Sequence, residues 1–343
     1  MSTEPVLVVG GGISGLACTV ELVRAGVQVQ VRDRGRRLGG RMASRRLRDT
    51  GTQWDGRVVD YGASYFTAKD PQFRAQVQRW MDSGLVQEWT DAFAVWETDA
   101  MSGVRQGPMR YRAPGGLRTL VEDLATDAAA DPDRVAFEFP VEVQSVAVQD
   151  GQLLIDGVDA FQTAAICTPG PQAGRVLAPQ LQVPRIQDIA WEPVIAVWMV
   201  FEQRAWPDLD GVFVNGDPIL TWIADDGRRR GDDAPVLVAH VHPLHAVRHL
   251  QDPQAVVPEA IAAVRRILQI ADYPDYAQAH RWSLARPISA LAEPFVLLTE
   301  ADQPDLAGLR VGFAGDAFAA GPRIEAAWLS GRALGLALAG SAE

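Results

Sequence analysis

The chain has 343 residues, 48% of them hydrophobic and 22% charged, which suits about two folded domains that need neither metals nor cross-links for stability. A formal net charge of −11 and a pI near 5 argue against nucleic acid or an anionic membrane as partner. The two cysteines, Cys18 and Cys167, lie far apart in apolar surroundings and outside any C-x-x-C pair, so they read as buried thiols of a reducing compartment.

Met1–Pro5 has no basic stretch followed by an apolar one, so no signal peptide is expected. Residues 6–9 (Val-Leu-Val-Val) then read as a strand buried on both faces. Gly10-Gly11-Gly12 and a helix over Ile13–Ala25 follow, with Gly26 as its stop. Val27, Val29 and Val31 alternate with polar residues in a second strand ending at Asp33, which completes a β-α-β unit. Pro71–Leu85 reads as an amphipathic helix, Val86–Met109 as short strands rich in tryptophan, and Gly115–Ala130 as another helix. Strands are expected at Val135–Phe139, Val141–Val148, Leu153–Ile155 and Ala164–Thr168, ended by the Pro/Gly cluster Pro169–Gly174.

Further strands are expected at Val194–Phe201, Gly211–Val214, Ile219–Ile223 and Val236–Val241, with a helix over Pro258–Ile270. The run Arg228-Arg229-Arg230 is flanked by Asp225, Asp226, Asp232 and Asp233, and reads as a solvated loop or hairpin tip. The chain closes with a strand at Leu309–Ala314, a loop at Gly315–Arg323 and a helix at Ile324–Leu338. The apolar stretch Ala326–Gly340 contains Arg332 and is too short to span a bilayer, so a cytoplasmic location is expected.

Gly10-x-Gly12-x-x-Gly15, placed between strand and helix, is a dinucleotide fingerprint. Gly10 allows the tight turn, Gly12 admits the ligand to the backbone, and Gly15 lets helix and sheet approach. The first helical residues, Ile13 and Ser14, offer N–H groups and the positive end of the helix dipole to a pyrophosphate. Asp33, 18 residues beyond Gly15, is placed to accept from ribose hydroxyls. The fingerprint alone does not separate FAD from NAD.

Three later segments resemble the flavin amine oxidase superfamily. Gly39-Gly40-Arg41-Met42 resembles its G-G-R segment, whose arginine meets the pyrophosphate. Phe313-Ala314-Gly315-Asp316 resembles its closing F-x-G-D motif, whose aspartate binds the ribityl chain. The helix beginning at Ile324 would then aim its N-terminus at the flavin ring. Asp60–Phe66 resembles the segment that passes the ring, which implicates Ser64 and Tyr65, and Val143 matches the position whose backbone contacts adenine. Arg34, next to Asp33, belongs to the same implied set. The implied fold is α/β: a Rossmann-like FAD-binding domain, three-layered on a mostly parallel sheet, with a second α+β substrate domain on a mixed or antiparallel sheet. The expected boundaries are 1–75, 110–185 and 286–343 for the FAD domain, and 76–109 and 186–285 for the substrate domain.

Within that superfamily the chain resembles the renalases, bacterial ones in particular, through Asp33–Gly35, Gly39–Ala43, Asp60–Phe66, Pro114–Leu117, Val238-x-His240, Arg281-Trp282 and Arg323–Gly331. The final segment departs from the mammalian pattern. The resemblance implies a soluble oxidase with small-molecule substrates. It would take a hydride from 2- or 6-dihydro isomers of NAD(P)H onto flavin N5 and pass electrons to O2, giving NAD(P)+ and hydrogen peroxide. No general base is required and none is evident. Tyr65, Phe66, Trp222, His240 and Trp282 are candidates for the pocket wall, although aromatic residues on strands are usually plain packing.

Lys69 is the only lysine, which argues against the amine oxidases that use a lysine from the substrate half. His240, His242, His245 and His249 cluster in sequence, but neither a cysteine nor an acid before Asp252 completes a ligand set, so no metal is expected. The alternatives are an amine oxidase or desaturase acting on another substrate, and a non-catalytic FAD-binding sensor or scaffold.

Overall fold

The apolar run Val6–Val9 forms a strand near the middle of a six-stranded sheet and is buried along its whole length. The order is Val296–Leu298, Arg310–Phe313, Thr163–Ile166, Val6–Val9, Val29–Arg32, Val135–Glu138. All neighbours run parallel except the Val296–Leu298 edge. This computed structural model describes residues 4–319 and 321–340; residues 1–3, at the start discussed above, and residue 320, in the expected closing loop, lie outside the described residues. By contacts the chain divides into two units: Met1–Gly40, Leu120–Ala190 and Pro287–Glu343, and Arg41–Thr119 with Trp191–Arg286.

In the first unit the β-α-β start is as expected, with a helix over Ile13–Arg24 and a strand over Val29–Arg32. The helix Ile324–Ala339 packs on Ile13–Arg24 so closely that its Gly331 and Gly335 lie against the backbone of Ser14 and Cys18. A side chain at either glycine would collide with main chain. Val146–Gln149, Gln152–Ile155 and Asp159–Phe161 form a separate three-stranded antiparallel sheet. The expected strand over 141–148 begins only at Val146. Ahead of it Pro140 has no N–H, Val141 donates to the Asp33 carbonyl, and Gln144 and Ser145 donate to the Asp156 carboxylate, so these groups leave the ladder. The Pro/Gly cluster opens a short helix, Gly170–Val176, because proline is tolerated in a first turn.

The second unit is built on a seven-stranded sheet: Tyr276–Pro287, Trp191–Val200, Val236–Val241, Leu220–Asp225, Gly211–Val214, Gln87–Glu97, Ala100–Arg112. It is mixed, because Gly211–Val214 runs parallel to Gln87–Glu97 while the other recorded pairs are antiparallel. The nearly continuous apolar runs of its inner strands follow from burial on both faces. Ile195, Val197, Met199, Leu237, Ala239 and Val241 share a core with Ala260, Val264 and Ile267 of the helix Val257–Leu268. Trp198, Val200, Val236 and Val238, one residue out of phase, join Leu47 and Val59. The fold is therefore a Rossmann-like α/β unit with a mixed-sheet second unit, the class expected.

Other elements depart from expectation as well. Val86–Met109 is one long hairpin, Gln87–Glu97 with Ala100–Arg112. The 12-residue strand Tyr276–Pro287 was not foreseen. The Arg228–Arg230 run is no solvated tip but belongs to a short helix, Asp226–Arg230, in which Arg229 and Arg230 are buried. No described helix is long and apolar enough to cross a membrane.

Candidate active site

In the first unit, Gly10 has φ +110°, a conformation open to glycine, and a side chain there would come 2.9 Å from the Cys167 carbonyl. Gly15 lies against the Gly10 carbonyl, whereas a Cβ at Gly12 would meet nothing within 4 Å. The loop is thus tight towards the protein and open at Gly12. Ile13, Ser14 and Gly15, in the first turn, have N–H groups without intrahelical acceptors. The Ser14 hydroxyl is buried and has no hydrogen-bond partner. An orphaned hydroxyl beside first-turn N–H groups is the donor set a phosphate would satisfy, so these residues fit a dinucleotide pyrophosphate.

Asp33 follows the second strand. Its carboxylate accepts from Gly11 N–H (2.6 Å) and Gly35 N–H (2.6 Å), one to each oxygen. Those bonds fix its orientation and leave lone pairs for further donors. Arg34 is exposed and pairs loosely with Glu142 at 3.6 Å, an arrangement of little energetic weight. The Gly39–Gly40 segment folds back on the fingerprint: Gly39 N–H donates to the Gly11 carbonyl (2.9 Å), and a Cβ on Gly40 would come 3.4 Å from the Gly12 Cα. Two motifs 24 or more residues apart therefore occupy one place. Val143 is buried. Asp316 is buried just past the strand Arg310–Phe313, and Gly315 N–H donates to the Ser330 hydroxyl (3.0 Å). The closing helix begins at Ile324, the residue expected.

The remaining sequence candidates belong to the second unit. Arg41 lies 5.1 Å from the Trp191 ring centroid and donates to the Ala285 carbonyl (3.1 Å), and Met42 is buried beside it in sequence. Ser64 accepts from the Trp222 indole N–H at 3.1 Å. Tyr65 packs with Trp89, Phe93 and Trp222. Phe66 instead stacks on Tyr111 and meets Phe73 and Trp80 edge-on, a wholly interior position that makes it core. Trp282 stacks on Tyr61 (5.5 Å, 21° between planes) and donates to the Tyr61 carbonyl at 2.7 Å.

His240 pairs across the sheet with Trp222, and its Nε2 is buried without a partner. Burial, aided by the charge of Arg229, lowers its pKa to about 4, so the imidazole is neutral at pH 7. His280, edge-on to Tyr61 at 4.7 Å, is likewise lowered to about 4 by burial and by the charges of Arg45 and Arg281. Tyr61 and His280 were missed from sequence. The signal was there, because His280 and Trp282 alternate onto one side of a strand.

A buried ionic network holds the 60–66 segment. Asp226 is 0% exposed and accepts from Arg57 (2.5 Å) and Arg229 (3.0 Å). Arg229, 1% exposed, donates onward to the carbonyls of Ser64 (2.9 Å) and Asp60 (3.2 Å), while Arg230 pairs with Asp60 at 2.6 Å. The three guanidinium charges outweigh burial and hold the Asp226 carboxyl well below the usual carboxylate range. Arg110 stands apart. It is 5% exposed with no carboxylate partner among the described residues, and its guanidinium sits over the Phe93 ring at 4.1 Å.

Residues 8–80 match the family model for NAD(P)-binding Rossmann-like domains, and residues 80–333 match that for flavin-containing amine oxidoreductases. The chain belongs to the flavin-containing amine oxidoreductase family. Its cofactor is accordingly FAD and its chemistry that of an FAD-dependent oxidoreductase. Over 145 residues it is 39% identical to the (S)-6-hydroxynicotine oxidase of Paenarthrobacter nicotinovorans, a match covering 41% of this chain and 31% of that enzyme's length. The family fold recurs in a candidate protoporphyrinogen oxidase from Exiguobacterium sp. 255-15 (TM-score 0.74, 14% identity, 99% of this chain and 100% of that one). It recurs too in cyclohexylamine oxidase from Brevibacterium oxydans IH-35A (TM-score 0.70, 14% identity, 99% of each chain).

The cysteines, distant in sequence, meet. The Cys167 side chain beside it, together with burial, pushes the Cys18 thiol pKa well above the ordinary value. The histidine cluster also differs from expectation, because the fold supplies an acid from beyond Asp252: Glu259 faces His245 and His249.

Proposed function

We propose that this flavoenzyme is a renalase-like oxidase that converts 2- or 6-dihydro isomers of NAD(P)H to NAD(P)+ and hydrogen peroxide. The observation that carries the reading is the character of the aromatic residues in the second unit. The Tyr61–Trp282 stack offers flat aromatic surface, the nearby His280 and the buried His240 are held neutral, and residues 191–286 contain no lysine. Such a set favours a planar substrate that gives up hydride without losing a proton to a base.

FAD supplies the electron-accepting chemistry when bound. The residues proposed to hold it are Gly10, Gly12, Ile13, Ser14, Gly15, Asp33, Arg34, Gly40, Arg41, Met42, Ser64, Tyr65, Val143, Asp316 and Ile324. We propose that Ser14 and the first-turn N–H groups bind phosphate, Asp33 orients the adenosine ribose, and Arg41 adds a second phosphate contact. On this reading the functional domain boundaries are 1–75, 110–185 and 286–343 for FAD, and 76–109 and 186–285 for substrate. Tyr65, Trp222, His240 and Trp282 are proposed to border the substrate.

A second reading, oxidation of an amine, is favoured by the likeness to (S)-6-hydroxynicotine oxidase. One experiment separates the two. Under anaerobic conditions, borohydride-reduced NAD+ should bleach the flavin band and yield peroxide on admission of air, while pure 1,4-NADH should not. Bleaching by 6-hydroxynicotine or cyclohexylamine, with none by the dihydro mixture, overturns the proposal in favour of the second reading.

A further inference from the structure

We infer that His245, His249 and Glu259 form a binding site for a transition-metal dication, zinc being the ion that their donors suit. The site uses none of the residues proposed for FAD or substrate, so it stands or falls independently of that reading.

Its geometry follows from local helical structure. Pro243–Ala246 is one helical turn continued by a 3-10 turn, Val247–His249. Residues four apart on such a path face the same way, and the imidazoles of His245 and His249 lie 4.9 Å apart between centroids. Pro253 then starts the turn that leads into Val257–Leu268, whose first turn carries Glu259. The carboxylate spans the pair, with Oε2 3.3 Å from His245 Nε2 and Oε1 3.9 Å from His249 Nε2. One ligand atom from each residue falls within 4.8 Å of the other two.

A mere ion pair would leave both histidines hydrogen-bonded to the acid. Instead the His245 Nε2 is buried and has no hydrogen-bond partner, although the carboxylate is beside it. A buried ring nitrogen without a partner is costly, and a lone pair directed at a cation removes that cost. Two imidazoles and one carboxylate make a three-ligand set of the kind zinc accepts, with water at the fourth position. Glu259 is 47% exposed at its side chain, which gives water and metal a way in. Zinc bonds to N and O near 2.0–2.2 Å would require the three groups to close by roughly 1 Å, within reach of a half-exposed glutamate. The absence of thiolate disfavours Cu(I), and the imidazoles disfavour Mg2+ and Ca2+. By bridging the 243–249 turn and the 257–268 helix, the ion would act as a clamp within the second unit.

The test uses the FAD-loaded full chain, stripped with chelator, dialysed against buffered Zn2+ and assayed for retained metal. The expected result is one zinc per chain with a dissociation constant on the order of micromolar. His249→Ala and Glu259→Gln should each weaken binding by about tenfold or more while leaving the flavin spectrum unchanged. Both side chains are partly exposed, so the variants should fold, and flavin content verifies that. Failure of the wild type to retain zinc at about 100 μM free metal, uptake indifferent to both substitutions, or equal uptake of Mg2+ would each overturn the inference.

Discussion

Replacing Asp226 with asparagine preserves shape and removes one charge from the most enclosed ionic network in the second unit. In the native chain this carboxylate faces Arg57 at 2.5 Å, Arg229 at 3.0 Å and Arg230 at 3.5 Å, with no exposure of its own. After Asp226→Asn, Arg229 faces only neutral acceptors, the new amide oxygen and the carbonyls of Ser64 and Asp60, and Arg57 keeps the half-exposed Asp232. Breaking a buried pair from one side strands the other charge and costs about 3–5 kcal/mol. Asp232→Asn, which removes a carboxylate 40% exposed at its side chain, should cost less than about 1 kcal/mol. Urea unfolding followed by tryptophan fluorescence compares the two. The cost of Asp226→Asn should not change between pH 8 and pH 5. A carboxylate whose folded pKa is depressed contributes its stability above the unfolded pKa and loses it only as pH falls below that value. If Ser64 serves the cofactor as proposed, FAD content should fall as well, because Arg229 donates to the Ser64 carbonyl. Equal costs for the two variants would refute this account of the network.

Gly331→Ala places a methyl group against the Ser14 backbone and should lower both thermal stability and FAD occupancy, by about 1–3 kcal/mol for the overpacking alone; wild-type melting would contradict the helix contact. His240 is neutral in the fold to about pH 4, whereas the unfolded chain takes up its proton near 6.5. Its contribution of about 3 kcal/mol is therefore complete above pH 6.5 and lost progressively from there down to pH 4. His240→Gln should flatten that part of the pH–stability profile, and an unaltered slope would be the contrary result. Cys18, buried and held as a thiol, should resist a thiol-directed dye in the native state at pH 8 and react once urea is added.

What was legible from sequence was local. The glycine fingerprint, Asp33, the helix start at Ile324 and the strands Gly211–Val214 and Val236–Val241 depend on residues within a few positions of one another, so pattern and turn chemistry suffice to find them. The Arg228–Arg230 run misled because its neighbouring aspartates balance its charge in any short window, while its burial depends on Arg57 and Asp60, about 170 residues earlier. The strand Tyr276–Pro287 carries Gln278, His280, Arg281 and Arg286 and no apolar run, and its place is set by its neighbour Trp191–Val200. Glu259 escaped notice because the ligands it joins lie across a turn. In each case the deciding partner lies outside the element that carries the residue, where periodicity carries no information.

The packing of Ile324–Ala339 on Ile13–Arg24 also has a temporal meaning. The ribosome releases the first of these helices about three hundred residues before the second, a delay on the order of 15–60 s at ordinary elongation rates. Until then the nascent nucleotide loop lacks the partner that seats its helix, and Arg310–Phe313 has not yet entered the sheet. On the proposed FAD site, capture of the flavin would be a late event in the life of the polypeptide, and nascent chains stalled before residue 324 should emerge colourless.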